Sequence, residues 1–195
     1  MFILLYLSAM KIKLLLLLFI MPGATGMAAF AQQVPPQFSG RIYLVRHAEK
    51  DTVGKNPSLS AAGRKRAGDL YRLLKEKHIG KIYTTRYLRT QMTADSLRIY
   101  QQTDTAFYKA DTSNAELINK ILSGKKGINI LIIGHSNTIP ALVRMLGGAL
   151  DMKDLPDNAY DNIFILERKK RKVKLKQEKY GDPSAAQVQQ TRMNL

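Results

Sequence analysis

Cysteine is absent from the 195-residue chain. Disulfides, thiolate zinc sites and a cysteine nucleophile are thereby excluded. Acidic residues are scarce, 15 against 31 lysines and arginines, and the formal charge is +16. Such a balance favours anionic partners: phosphate esters, nucleic acid or an anionic surface. Histidine is rarer still, with three residues. Several motifs are also missing. There is no H-E-x-x-H, and Gly124 to Gly127 does not make a phosphate-cradling G-x-x-x-x-G-K-[ST] loop. His47-Ala48-Glu49 imitates the H-x-E of zinc deaminases, but those enzymes need cysteines. No metal and no other cofactor is implied. Internal repeats are absent as well.

Charge is almost missing from residues 1–31, which carry only Lys11 and Lys13. The apolar run Leu14 to Ile20 follows, and the segment closes on Ala29-Phe30-Ala31. A charged start, an apolar centre and a small-residue exit predict a signal peptide cleaved after Ala31. Pro22, Gly23 and Gly26 interrupt the apolar stretch and disfavour an uncleaved anchor. With no cysteine near the site, a lipid-anchored lipoprotein is excluded. Met10 makes a more ordinary start than Met1, because Met1 to Ala9 precede the charged pair. The expected product is exported, periplasmic or secreted. Residues 32–40 read as a Pro-containing linker, 41–181 as one domain and 182–195 as a flexible tail.

Within the domain, strand and helix patterns alternate, which predicts an α/β fold with a mostly parallel sheet between two helical layers. Strands are expected at Arg41 to Val45, Lys81 to Thr84, Thr105 to Lys109 and Ile128 to Ile133, with a hairpin of Asn162 to Glu167 and Lys172 to Gln177. Ser60 can cap a helix whose stripe is Ala67, Leu70, Leu73 and Leu74, and Gly80 is placed to end it. Further helices are expected at Tyr87 to Tyr100, Ala115 to Leu122 and Thr138 to Leu146. His78 falls near a helix end, where a structural role suffices. Seven of the nine residues from Arg168 to Lys176 are basic. Lys172, Lys174 and Lys176 alternate with Val173 and Leu175, the pattern of an edge strand with one solvated face. The run lacks interleaved aromatics, so single-strand nucleic-acid binding is disfavoured, and contact with anionic surfaces is the weaker role left to it.

Two of the three histidines each end a strand: Arg46-His47 after Ile42 to Val45, and Gly134-His135-Ser136 after Ile128 to Ile133. Ligands of open α/β sheets bind at the carboxyl ends of strands. Arg46-His47-Ala48-Glu49, Leu59-Ser60-Ala61-Ala62-Gly63, Arg89-Thr90-Gln91-Met92-Thr93-Ala94 and Gly134-His135-Ser136-Asn137 occur in that order. Together they resemble the histidine phosphatase superfamily over roughly residues 41 to 181, in its phosphoglycerate mutase-like, small phosphohistidine phosphatase-like branch.

The resemblance implies a phosphoglycerate mutase-like α/β/α sandwich and a metal-independent phosphatase. It implies that His47 attacks phosphorus and that His135 holds the phosphoryl oxygens, with Arg46 and Arg89 binding the phosphate. Arginine suits that task because its fork matches phosphate bidentately. Both arginines should also favour a neutral His47, since a cation disfavours a second one. Arg86, one turn before Arg89, is an alternative to it. Thr84-Thr85-Arg86 departs from the family pattern of two small hydroxyl residues and a proline.

The proton donor is expected at Asp111, with Glu116 and Glu49 as alternatives. Asp111 suits a helix cap equally well. The second histidine is followed by Ser136, not the aspartate of acid phosphatases and phytases. A small phosphorylated substrate, monoester or phosphoramidate, is the implied partner. The competing reading is a non-catalytic anion- or nucleic-acid-binding module on the same fold.

Overall fold

The computed structural model describes residues 38–169 and 172–184. The expected signal peptide, most of the linker and the tail from 185 onward lie outside the described residues. Six strands form one sheet: β1 (Gly40–Arg46), β2 (Ile79–Thr84), β3 (Thr105–Phe107), β4 (Asn129–Gly134), β5 (Asn162–Lys169) and β6 (Lys172–Lys179). Their order is β3-β2-β4-β1-β5-β6. The first four are mutually parallel, while β5 and β6 are antiparallel additions. Among the described residues, four helices cover the sheet: α1 (Ala61–Leu74), α2 (Leu88–Tyr100), α3 (Ala115–Leu122) and α4 (Thr138–Met145). None of the described helices is long and apolar enough to cross a membrane.

Strand alternation sorts the core into two layers, because successive side chains point to opposite faces. Ile42, Leu44, Ile130 and Ile132 pack with α3 and α4 through Ile118, Ile121, Leu142 and Val143. Tyr43, Val45, Leu131 and Ile133 pack with α1 and α2 through Leu70, Leu74, Ala94 and Leu97. Each fully buried aliphatic side chain contributes about 1.5–3 kcal/mol by leaving water. Continuous apolar β1 and β4 therefore form the centre, buried on both faces. The edge strand β6 alternates exposed and half-buried residues, with Lys172, Lys174 and Lys176 outward, as its pattern requires.

Several boundaries differ from the sequence expectation. Helix α1 ends at Leu74 and tightens into a single 3₁₀ turn, Lys75–Lys77. His78, not Gly80, makes the reversal, with a left-handed φ of 49°. Gly80 sits inside β2, which starts at Ile79. The linker expected to reach residue 40 ends earlier: Phe38 is fully buried, and its N–H donates to the Leu122 carbonyl at 3.1 Å.

Residues 182–184 fall within the stretch expected as a tail. Ser184 is buried, and its hydroxyl accepts from the Tyr160 and Asp161 amides at 2.9 and 3.0 Å. Arg66 donates to the Tyr180 and Asp182 carbonyls, both at 3.0 Å. Close packing of this kind holds residues 182–184 to the body.

Candidate active site

Parallel pairing of β1 with β4 sets Arg46 opposite Gly134, so the residue after each strand is a histidine at the same level. The His47 amide donates to the Gly134 carbonyl at 2.9 Å, continuing the ladder one step beyond the strands. Their rings then lie 5.4 Å apart, nearly edge to face. Glycine at 134 is a packing requirement. A Cβ there would lie 2.6 Å from the Tyr108 hydroxyl and 2.7 Å from Thr138 Oγ1. Gly63 has an equivalent reason, since its Cβ would stand 2.0 Å from the Glu49 carbonyl. That close approach holds the segment after His47 against the first turn of α1. Ser60 completes the junction, its amide donating to the Glu49 carbonyl and its hydroxyl capping Gly63 N–H at 3.1 Å.

His47 is buried, and its Nδ1 lies 2.8 Å from the Ala48 carbonyl. A carbonyl only accepts, so Nδ1 carries the proton and Nε2 keeps a free lone pair. The Ala48 amide donates to Thr93 Oγ1 at 3.0 Å, and Thr93 in turn donates to the Arg89 carbonyl. The loop after β1 is thus anchored to α2 through the threonine of the Arg-Thr-x-x-Thr-Ala stretch. His135 Nε2 lies 3.2 Å from Thr85 Oγ1, which contacts Thr90 Oγ1 at 2.9 Å. The Tyr87 ring meets His135 edge-on at 5.3 Å.

Both arginines converge on the histidines. Arg46 is buried, and its Nη1 donates to the Pro156 and Asp157 carbonyls at 2.9 and 2.8 Å. Its guanidinium lies 4.2 Å from the Tyr160 ring centroid, and that ring is 6.0 Å from His47. Arg89 stacks on Tyr87 at 4.3 Å. Arg86 is exposed and lies over Phe107 instead, so Arg89 is the one beside the histidines. Arg46 Nε and Arg89 Nε are buried with no hydrogen-bond partner among the described residues. Leaving such donors unpaired costs about 1–3 kcal/mol each, more for charged groups. The two arginines, whose charges act on both histidines, thus keep donor capacity of the kind an oxyanion can use.

Burial is the first cause that draws the His47 pKa down to about 3, followed by the charges of Arg46, His135 and Arg89. The hydrogen bond to Ala48 opposes them. His135 is drawn down to about 4, again by burial first and then by Arg89 and Arg46. The arginines therefore act in the expected direction, but desolvation leads. Burial also lowers both arginines from their ordinary range.

Stability inherits this arrangement. Below the ordinary imidazole value of about 6.5, an unfolded chain takes up protons that folded His47 and His135 refuse. Their contribution is complete above that pH and is lost as pH falls toward about 4 and 3. Urea unfolding at pH 5 should therefore give about 2–4 kcal/mol less stability than at pH 7. His47→Gln should remove about half of that decrement, as two comparable groups share it.

The three carboxylates named as proton-donor candidates stand in different surroundings. Glu49 points to α1, where Arg66 Nε donates to both of its oxygens at 2.9 and 3.0 Å. Asp111 is exposed, and its Oδ1 accepts from the Ser113 and Asn114 amides at 3.0 and 2.9 Å and from the Ser113 hydroxyl at 2.8 Å. Those bonds hold its carboxyl below the usual range, with the Asn114 amide the largest cause. A group kept ionised is poorly placed to donate a proton, and Asp111 serves the turn into α3. Glu116 lines the same cavity as Asp111, Thr85 and Tyr87, and makes no hydrogen bond or ion pair among the described residues. No cluster of three or more His, Asp or Glu among those residues could hold a metal ion.

Residues 42–107 match the family model of the histidine phosphatase superfamily, branch 1. Over that segment, about a third of the chain, the sequence is similar to that superfamily. Among solved structures of similar fold is a protein from Agrobacterium tumefaciens assigned as the phosphohistidine phosphatase SixA. It shares 18% identity and a TM-score of 0.53 over 73% of this chain and 98% of that one. YhfR of Bacillus stearothermophilus shares 16% identity and a TM-score of 0.54 over 69% and 94%. A protein from Escherichia coli K-12 assigned as an alpha-ribazole-5'-P phosphatase shares 14% identity and a TM-score of 0.53 over 72% and 96%. No curated protein sequence matches the chain. At these identities the likeness carries the fold alone.

Four features of this site were not foreseen: Tyr160 against Arg46, Tyr87 against His135, the Pro156 and Asp157 carbonyls, and the Thr85 hydroxyl. Thr85 had a signal, as one of two hydroxyl residues ending β2. Tyr87 stands at the start of α2, two residues before Arg89, while Pro156, Asp157 and Tyr160 reach the site from a distant loop without one.

Proposed function

We propose that the protein is an exported, metal-independent phosphatase that hydrolyses a phosphomonoester or phosphoramidate through a phosphohistidine on His47. The observation that carries this reading is the pair of unpartnered arginine Nε donors beside a neutral His47. The phosphoryl oxygens take the Arg46 and Arg89 donors and the edge of His135. His47 Nε2 attacks phosphorus; the N–P bond forms as the bond to the leaving group breaks, and the departing atom takes that electron pair and a proton. Water then attacks phosphorus, the N–P bond breaks, and phosphate leaves a neutral His47. Guanidinium and imidazole supply the positive charge that offsets the phosphoryl oxygens in the transition state. Glu116 is the better candidate for the proton than Asp111 or Glu49, whose carboxylates are occupied. Export rests on the charged, apolar and small-residue order of residues 1–31.

The test is hydrolysis of an aryl phosphate in the presence of a chelator, followed by quenching in alkali, where phosphohistidine survives. Turnover with one labelled phosphate trapped per chain is expected. Absence of turnover with retained phosphate binding would favour the binding-module reading.

A further inference from the structure

Beside the phosphate-binding groups opens a cavity of about 770 Å³, within the range of small-molecule sites. Thr85 and Tyr87 form its near side, and both also touch His135. Phe107 and Tyr108, at and just after the end of β3, continue the wall. Tyr87 and Phe107 are 41% and 48% exposed, so two large rings line this space only partly covered. Each already carries a guanidinium, Arg89 over Tyr87 at 4.3 Å and Arg86 over Phe107 at 5.0 Å.

The lining discriminates among occupants. An acyl chain would call for aliphatic walls, but Leu117 is the one large aliphatic side chain on the cavity. A second phosphate would call for uniform positive charge, but Asp111 and Glu116 stand among the cations. Aromatic faces with attached cations suit a flat π-system, which stacks on rings and on guanidinium planes alike.

We propose that this cavity receives a planar aromatic leaving group, so that the substrate is a phosphate ester whose alcohol carries a ring. The proposal rests on the phosphatase reading and names its substrate class. Tyr87 joins the two halves, because it contacts the phosphate-binding Arg89 and His135 and also lines the cavity.

Phenethyl phosphate and cyclohexylethyl phosphate test this, since their alcohols are similar in basicity and bulk and differ in aromaticity. The wild type is expected to prefer the phenethyl ester by about fivefold in kcat/KM, through KM. Phe107→Leu, which keeps an apolar side chain on an exposed strand end, should bring the ratio near one. Ile99→Leu, on α2 and away from the cavity lining, should leave it unchanged. Equal rates on both esters, or an unchanged ratio in Phe107→Leu, would overturn the aromatic subsite while the phosphatase reading stands. Failure to hydrolyse either ester would strike the phosphatase reading instead. The corresponding phosphonates then read the ring preference as Kd by calorimetry, and equal affinities would overturn the subsite independently.

Discussion

His47→Asn should lower phosphate-ester hydrolysis by on the order of 10⁴-fold, and no acid-labile phosphate should be trapped on the variant. Asparagine is chosen because its amide can still donate to the Ala48 carbonyl, which His47 Nδ1 meets at 2.8 Å. It fills much of the same buried space, so the loop between β1 and α1 keeps its anchor. What it lacks is the free lone pair of Nε2. The effect is therefore expected in turnover, with phosphate affinity changed far less, because the Arg46 and Arg89 donors remain. Activity within tenfold of wild type would eliminate His47 as the nucleophile and transfer attention to a directly attacking water.

Arg46→Lys should lower kcat/KM by about 10²–10³-fold, the usual cost of removing one preorganised donor from a transition-state oxyanion. The charge survives the substitution, but the fork does not. Arg46 Nη1 is committed to two backbone carbonyls, at Pro156 and Asp157, while the buried Nε has no partner among the described residues. A single ammonium cannot satisfy the carbonyls and reach the anion together. Burial is the first cause of the depressed His47 pKa, so this variant should keep its imidazole neutral at pH 7. The acid limb of the kcat/KM profile should accordingly stay where it is in the wild type. If lysine restored full activity, Arg46 would be only a local charge and its geometry irrelevant.

Much of the fold was legible because it depends on local pattern. The runs Ile42 to Val45 and Ile130 to Ile133 are apolar without interruption, and that alone predicts central strands covered on both faces. The ordered motifs put His47 and His135 at two strand ends, and parallel register then brings their rings together. Other features depend on contacts between distant segments. Nothing near Tyr160 in sequence marks it as the ring under Arg46, because the loop that carries it is 114 residues away. Asp111 was legible as a carboxylate after β3, but its capping of Ser113 and Asn114 competes with proton donation. His78 taking the left-handed position before Gly80 reverses the usual preference, and the sequence offers no reason for it. Phe38 and Ser184 sit in stretches that read as linker and tail. Their burial depends on surfaces that exist only once the sheet is assembled.

The Arg66 bridge has a consequence for the order in which the protein matures. One guanidinium holds Glu49, two residues past the nucleophile, and the Tyr180 and Asp182 carbonyls near the end of the described chain. During synthesis, the segment bearing His47 emerges long before its last brace. The segment that follows His47 therefore acquires its final surroundings only once residues 180–182 have been made.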